Sequence, residues 1–235
     1  MPLILNIETA TQNASVCLSN NSSILAFEES TDQKNHASFL QPAIQKMFLQ
    51  TNHSLSDIDA VSVSNGPGSY TGLRVGLSTA KGLCYALNKP LILINTLEIM
   101  AFAAMQTDTY QELMKTSSLS TILICPMIDA RRMEVFTAVY NTALEHILKP
   151  CAMVLEEDSF KDDIAQNTIL FCGSGAAKFL LNRPFLNTIP DASFFSARHL
   201  SILASKAYTL ASFADLAYSE PFYIKAFYTV PKKIT

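Results

Sequence analysis

A glycine-rich loop carries the clearest chemical signal in this chain. Its residues are Gly66, Pro67, Gly68, Ser69, Tyr70 and Thr71. Glycines on either side of a proline let the backbone reverse and approach another group closely. The three residues after the second glycine open a predicted helix, whose free N–H groups suit an anion or a partner's carboxylate. The loop lacks the Gly-Lys-Ser/Thr of a Walker A motif and misses GxGxxG by one residue, so it does not by itself indicate a nucleotide.

The helix that follows this loop has small residues along one face. Gly72, Gly76 and Ala80 recur at four-residue spacing. Because an interior glycine costs a helix about 1 kcal/mol relative to alanine, the pattern predicts that something packs very close to this face. Two partners fit: the chain's own sheet, or a helix of a second chain, as in small-residue helix pairs. Arg74 lies near the helix start, where a cation opposes the helix dipole, so we predict that it pairs with an acid or reaches a partner.

A second polar group lies at a predicted strand end. It consists of Asp129, Arg131, Arg132 and Glu134. These charges predict either a surface ion-pair network or a contact with a partner. The four histidines lie far apart and form no HxxxH or HExxH pair, so we predict no zinc site borne by this chain. The five cysteines form no CxxC pair and several lie in apolar runs, which predicts buried reduced thiols and a cytoplasmic location.

An α/β framework must position these residues. Alternating apolar segments separated by short polar connections predict a three-stranded antiparallel meander at 3–8, 14–19 and 24–29. After it come a helix that ends near residue 50 and is capped by Asn35 or Thr31, a strand at 60–65, the glycine helix at 70–87, a strand at 91–95 and a helix from Thr96. A mixed sheet flanked by helices follows from this order.

The second half of the chain repeats the pattern. Its predicted elements are a partly helical connector at 107–120, strands at 121–129, 133–141, 144–155 and 168–172, and helices at 156–165, 176–181 and 197–213. A second meander predicts an internal structural duplication. We therefore predict two lobes, an N-terminal lobe at 1–105 and a smaller C-terminal lobe with its tail at 106–235.

The amino-acid composition argues against several classes of protein. The chain has 235 residues, 49% of them apolar and 16% charged, with a formal net charge of −3. Such an apolar chain is not disordered, and its acidic balance argues against a basic nucleic-acid-binding domain. The absence of a long apolar run predicts no membrane span, and the short apolar start, with no basic segment before it, predicts no signal peptide.

The glycine loop and its helix, NGPGSYTGLRVGLSTAKGLCYAL, resemble the TsaB (YeaZ-like) family and its larger paralogue, TsaD. The segments ILNIETATQNASVCLS, HASFLQP, IDARRMEVF and CGSGA resemble the same family in order and spacing. The resemblance implies an actin-like ATPase fold, of the ribonuclease H-like class, with two lobes that each contain a mixed sheet. It also implies a role in tRNA threonylcarbamoyladenosine biosynthesis. In that pathway TsaB-like proteins are non-catalytic partners of TsaD-like transferases, which modify the adenosine next to the anticodon.

The residues allow a check on the non-catalytic role. The catalytic paralogue has a metal-binding HxxxH after the strand that follows the glycine helix, where this chain has Thr96 and Met100. The paralogue also has an acidic pair near its first strand, where this chain has Gln12 and Asn13. Threonine and methionine are not a plausible ligand pair for catalytic iron or zinc. We therefore expect neither a metal site nor chemistry of the paralogue's type on this chain.

The resemblance also implies where partners and ligands bind. The implied partner interface consists of His36, Phe39, Leu40, Gly72, Leu73, Gly76, Leu77 and Ala80. A vestigial nucleotide site is implied at Glu8, Thr9, Thr11, Gly173 and Gly175. We expect no cofactor to be required, and ATP or ADP is the ligand that such a remnant would take.

Three hypotheses follow from these features. The first is a scaffold or dimerisation subunit that binds a TsaD-like catalytic subunit and a further ATPase subunit, forms a homodimer when alone and meets tRNA only indirectly. The second is an enzyme acting on its own, either an actin-like ATPase or kinase or a peptidase. The third is direct tRNA binding, which the net charge of −3 disfavours although the tail carries Lys225, Lys232 and Lys233.

The tail resembles a family ending of Pro-x-Tyr-x-Arg, with Lys225 in place of arginine. The alternative is that the tail folds back over its own lobe.

Overall fold

The first half of the chain forms a five-stranded mixed sheet with the strand order β3-β2-β1-β4-β5. The computed structural model describes residues 1–21, 23–32, 36–116, 121–180, 187–189 and 194–225. The elements of this half are β1 (Leu3–Glu8), β2 (Ala14–Asn20), β3 (Ser23–Ser30), α1 (His36–Gln50), β4 (Ala60–Ser64), α2 (Tyr70–Leu87), β5 (Leu91–Ile94), α3 (Thr96–Ala104) and α4 (Asp108–Thr116). The antiparallel meander and the parallel pairing of β4 with β1 and of β5 with β4 confirm the predicted order. The predicted cap at Asn35 lies outside the described residues.

The second sheet repeats the first. Its elements are β6 (Ile122–Asp129), β7 (Glu134–Tyr140), β8 (His146–Val154), α5 (Lys161–Gln166), β9 (Thr168–Cys172), α6 (Ala176–Leu180), β10 (Thr188–Ile189) and α7 (Ala197–Thr209). The strand order β10-β9-β6-β7-β8, with β6, β7 and β8 antiparallel and β9 parallel to β6, matches that of the first sheet element for element. The predicted duplication is therefore confirmed, and the two mixed sheets flanked by helices form the actin-like ATPase fold.

Two helices have ends that differ from the predicted ones, the start of α5 and the end of α7. α5 begins at Lys161 because the preceding residues form a turn, in which Ser159 Oγ accepts a hydrogen bond from the Glu156 N–H at 2.8 Å. α7 ends at Thr209, since the backbone turns at Ala211 with φ of 50° and leads back towards the first sheet.

The first sheet has an apolar face and a polar face. Leu5, Ile7 and Val63 lie in an apolar cluster with α1 and α2. The alternate positions of the same strands include Asn6, Glu8 and Ser62, all buried. α7 contacts this polar side, where the Ala197 N–H donates to Ser15 Oγ at 2.9 Å and Cys17 Sγ donates to the Ala197 carbonyl at 3.3 Å. A helix from beyond residue 105 thus packs on the first sheet, and the predicted lobe boundary stays a prediction.

An apolar core joins the two sheets. It combines Ile92 and Ile94 of the first sheet with Ile124 and Leu170 of the second, and α3 and α7 complete it. The two sheets are therefore joined through one shared apolar core. In the part of the chain that the structure describes, no helix is long and apolar enough to cross a membrane.

Candidate functional site

The glycine loop is held tightly by its neighbours. The Gly66 N–H donates to Thr96 Oγ1 at 3.1 Å, and the Thr96 N–H donates back to the Gly66 carbonyl at 2.9 Å. Gly66 has φ of 110°, a conformation that favours glycine. A Cβ on Gly68 would overlap the Ala10 carbonyl, which accepts a hydrogen bond from the Ser69 N–H at 2.6 Å. The close approach predicted for this loop is thus made to the chain's own β1–β2 turn.

The small-residue face of α2 packs against the same turn. A Cβ on Gly72 would overlap the Thr9 carbonyl oxygen, and one on Gly76 would overlap Thr9 Oγ1. Thr9 Oγ1 in turn donates to the Gly72 carbonyl at 2.8 Å. Of the two alternatives left open by the sequence, contact with the chain's own first sheet is the one observed. Gly82 differs, since a Cβ there would meet no atom within 4 Å.

The predicted partner interface needs a correction. His36, Leu40, Gly72, Leu73, Gly76, Leu77 and Ala80 are all buried within this chain, and only Phe39 is half-buried. His36 Nε2 lies 3.0 Å from the Gln12 carbonyl oxygen. A docking surface must be accessible in the free chain, so these seven residues do not form one. The small-residue spacing that left a second chain open as a partner reflects the face of α2 that packs on the β1–β2 turn.

The outer faces of α1 and α2 remain accessible. Leu49 in the last turn of α1 is 80% exposed, and Tyr85 near the end of α2 is 83% exposed. α1 precedes β4 and α2 precedes β5 along the chain. Because these two strands are parallel, both helices end near the end of the sheet at which the two strands begin. Leu49 and Tyr85 are thus exposed apolar candidates for a protein contact, although a contiguous patch would be the stronger sign of a binding surface.

Arg74 contacts two aromatic side chains. Its guanidinium lies 4.2 Å from the centre of the Tyr70 ring, and its Nε donates to the Tyr223 hydroxyl at 3.0 Å. The hydroxyl contact raises the pKa of Arg74, which stays protonated. The C-terminal segment of the same chain thus supplies the hydrogen bond to Arg74, and the charge of Glu220 in that segment also favours the protonated guanidinium.

A cleft of about 780 Å³ separates the two lobes. One wall is the β1–β2 turn with Thr11 and Gln12, and the other is the β6–β7 turn with Arg131 and Arg132. Lys178 also lines the cleft, and its Nζ lies 2.5 Å from Asp129 Oδ1. Partial burial of Asp129 opposes its ionisation, but Lys178 and the Arg131 N–H outweigh it and lower the pKa of Asp129. Nothing in the sequence had singled out Lys178, although it lies only two residues after the CGSGA turn.

Of the five residues of the implied nucleotide site, only Thr11 lines the cleft. Thr9 is buried against α2. Gly173 and Gly175 have packing roles, because a Cβ on either would overlap Met127, and that on Gly173 would also overlap Met100. Only Ser174 of that segment lines the cleft, and its Oγ accepts from the Asp129 N–H at 3.1 Å.

Glu8 is sealed in the interior, only 1% exposed. Its Oε1 accepts from the Ala10 N–H at 2.6 Å, while Oε2 has no hydrogen-bond partner among the described residues. Burial raises the pKa of Glu8 to about 7, and the Ala10 N–H and the neighbouring Ser64 hydroxyl act in the opposite direction. A neutral carboxylic acid below pH 7 is a poor ligand for Mg²⁺.

Thr96 and Met100 have structural roles. Thr96 holds the glycine loop, as described above, and Met100 is 1% exposed in the core shared by the two sheets. Within the described ranges, no three His, Cys, Asp or Glu side chains lie close enough together to hold a metal ion.

These features define an α/β protein with two duplicated lobes, a cleft between paired hairpin turns and a glycine loop at the start of the second helix. Residues 28–227 match the family described as "TsaD: tRNA N6-adenosine threonylcarbamoyltransferase". The chain belongs to this family. The relatives and solved structures described next support its placement in the TsaB (YeaZ-like) group.

Two curated relatives show the extent of the sequence similarity. The chain is 30% identical to the tRNA threonylcarbamoyladenosine biosynthesis protein TsaB of Bacillus subtilis (strain 168) over 148 residues, which cover 62% of this chain and 59% of the relative. It is 34% identical to TsaB of Escherichia coli (strain K12) over 138 residues, which cover 59% of this chain and 54% of the relative. The similarity thus spans little more than half of the length of these relatives.

Solved structures share the fold over almost the whole chain. An uncharacterized protein from Pseudomonas aeruginosa, described as similar to peptidase YEAZ, superimposes with a TM-score of 0.77 at 24% identity and covers 96% of this chain and 100% of its own. YeaZ from Pseudomonas aeruginosa superimposes with a TM-score of 0.71 at 22% identity over 95% of this chain and 100% of its own.

Proposed function

We propose that this chain is a non-catalytic subunit of the machinery that forms threonylcarbamoyladenosine on tRNA, and that it binds and supports a TsaD-like transferase. The observation that carries this proposal is the residue pair Thr96 and Met100, which stands where the catalytic paralogue has its two metal-binding histidines. Both residues are buried and engaged in packing. The family membership supplies the pathway.

The partner binds to the outer faces of α1 and α2. Leu49 and Tyr85 provide apolar contact area at one end of the first sheet, and Phe39, half-buried on α1, stays in the predicted interface. Apolar and aromatic side chains of this kind commonly supply much of the binding free energy in an interface. In the absence of the partner, the same faces pair two copies of this chain, since a two-fold dimer uses one patch twice. A further ATPase subunit joins the complex, and tRNA is bound by the partner.

The binding test uses the purified chain and the TsaD-like subunit of the same organism. We expect a complex in size-exclusion chromatography, and calorimetry should show at least about tenfold weaker binding for Tyr85→Asp and for Leu49→Asp, because each places a charge in an apolar contact. Met114→Asp is the matched control, since Met114 is 51% exposed on α4 and lies outside the proposed surface. Full-strength binding by both interface variants would place the contact elsewhere.

The non-catalytic role is tested with the separate subunits. The chain alone should not modify tRNA when it is given the threonylcarbamoyl donor, and modification should appear on addition of the TsaD-like subunit. Turnover by this chain alone would show that the role is wrong.

ATP or ADP is not required in the proposed function. Arg131, Arg132 and Lys178 line the cleft and could attract an anion. Two acids, Asp129 and Glu8, are not free to hold Mg²⁺, because Asp129 is paired with Lys178 and Glu8 is buried away from the cleft. Phosphoryl transfer needs acidic residues that hold Mg²⁺. Titration of the chain with ATP and Mg²⁺ should therefore give no hydrolysis, and Mg²⁺-dependent turnover would favour the alternative of an independent ATPase or kinase.

A further inference from the structure

Residues 213–225, which we call the C-terminal strap, run back across the first sheet after α7. The Ala214 N–H donates to the Leu91 carbonyl at 2.8 Å and extends the pairing at β5. Leu216 packs against the apolar cluster of the first sheet. Lys81 of α2 then donates to the carbonyls of Ala217 and Ser219 at 3.1 and 3.0 Å. The first half of the strap is thus fixed to β5 and α2.

The strap next contacts the glycine loop. The Phe222 N–H donates to the Asn65 carbonyl at 2.6 Å, and the Phe222 carbonyl lies so close to Gly66 that a Cβ there would come within 2.6 Å of it. The Tyr223 ring lies 5.4 Å from that of Tyr70, centre to centre. Tyr70 lines the cleft, so the strap supports the wall of the cleft that belongs to the first lobe.

The end of the strap contacts the opposite wall. Lys225 Nζ lies 2.5 Å from Oε1 of Glu134, the first residue of β7. Glu134 also closes the β6–β7 turn, since its N–H donates to the Arg131 carbonyl and its carbonyl accepts from the Ala130 N–H, both at 3.1 Å. Tyr223 and Lys225, two residues apart, therefore hold opposite walls of one cleft.

The Lys225–Glu134 pair is suited to reversible opening. The Lys225 side chain is 55% exposed and that of Glu134 is 20% exposed, so water and salt weaken their attraction. The apolar core shared by the two sheets is buried by comparison, so water and salt do not weaken that connection in the same way. Motion of one lobe about that core would change the width of the cleft and would separate Lys225 from Glu134.

We propose that the C-terminal strap is a latch that sets the width of the cleft between the lobes, with the Lys225–Glu134 ion pair as its releasable contact. A ligand or a segment of a partner that widens the cleft must break this pair. Because Tyr223 of the strap contacts Tyr70 and Arg74, the latch thereby couples the width of the cleft to the positions of these two side chains at the start of α2.

Hydrogen exchange of the full chain, followed by mass spectrometry, tests the latch without a partner. Lys225→Ala and Glu134→Ala should each raise exchange about two- to fivefold in peptides covering 66–72 and 129–134, as loss of a partly exposed ion pair predicts. The reversed pair Lys225→Glu with Glu134→Lys should return exchange to the wild-type rate, whereas Glu134→Lys alone should not. Lys149→Ala, an exposed lysine on β8, is the matched control. Raising the salt concentration should reproduce the effect in the wild-type chain.

Three results would overturn the latch. Unchanged exchange in both regions for Lys225→Ala and Glu134→Ala would show that the pair does not hold the cleft. If hydrogen exchange in β1 and β4 increased as much as in peptides 66–72 and 129–134, the pair would act on the global stability of the chain and not on the cleft. Failure of the reversed pair to restore the wild-type rate would show that the charges do not act on each other.

Discussion

The two faces of the first sheet are covered by helices in similar ways but are made of different residues. α2 approaches the apolar face through Gly72, Gly76 and Ala80, and α7 approaches the polar face through Ala197, Ser201 and Ser205. Small side chains at four-residue spacing allow a close approach in both cases. The difference lies beneath the helices, where apolar side chains pack on one side and buried polar groups must find hydrogen bonds on the other. The stability of the packing on the apolar face therefore depends on the available space. The stability of the polar face depends on hydrogen bonding and on the protonation of Glu8.

The largest effect is expected where space is limiting. Gly72→Ala should lower the free energy of unfolding by about 3 kcal/mol, because the new Cβ would overlap the backbone carbonyl of Thr9, which has little freedom to move. Chemical denaturation at neutral pH measures the change. A stability equal to that of the wild type would mean that α2 does not depend on this close contact.

The polar face should respond to pH. The pKa of Glu8 is raised to about 7 by burial, above its ordinary value of 4.5, so the folded state binds more protons than the unfolded state between these values and stability falls as pH rises. Glu8→Gln removes the ionisation and should add up to about 3 kcal/mol at pH 8, and the gain should vanish near pH 4.5.

Denaturation of wild type and Glu8→Gln across this pH range measures the effect. Glu29→Gln, on the exposed side of β3, is the matched control and should show no comparable gain. A gain for Glu8→Gln that is constant from pH 4.5 to pH 8 would contradict the assignment, because it would not come from ionisation.

Hydrogen bonding on the polar face depends on Asn6. The two hydrogens of its Nδ2 face three acceptors, the carbonyls of Ile4 and Cys17 and Ser19 Oγ, at 3.0, 3.2 and 3.0 Å, and its Oδ1 accepts from Ser62 Oγ at 2.6 Å. Asn6→Ala should cost about 2 kcal/mol, since it leaves buried partners without hydrogen bonds. Ser62→Ala should cost less, and the double variant should cost less than the sum of the two. Additive losses would show that Asn6 and Ser62 do not act as a pair.

The sequence predicts the apolar face better than the polar one. Apolar runs and short turns locate the strands, and the glycine spacing correctly predicts a close approach. The same spacing does not identify the partner, because a helix face that packs on its own sheet looks like one that packs on another chain. Asn6, Glu8 and Ser62 gave no sign of a polar interior, since the helix that covers them comes more than 130 residues later. The course of the C-terminal strap and its pairing with Glu134 are equally non-local.

The smallest effect is expected on the solvent side of α2, where the comparison with Gly72 is direct. Gly82 lies in the same helix, but a Cβ there meets no atom within 4 Å. Gly82→Ala should therefore raise the free energy of unfolding by about 0.5–1 kcal/mol, which is the helix preference of alanine without any cost in packing. The same chemical denaturation measures it. Because the two variants make the same substitution in one helix, opposite signs would show that packing on β1 determines the effect, whereas a loss at both positions would refute the distinction between the two faces of α2.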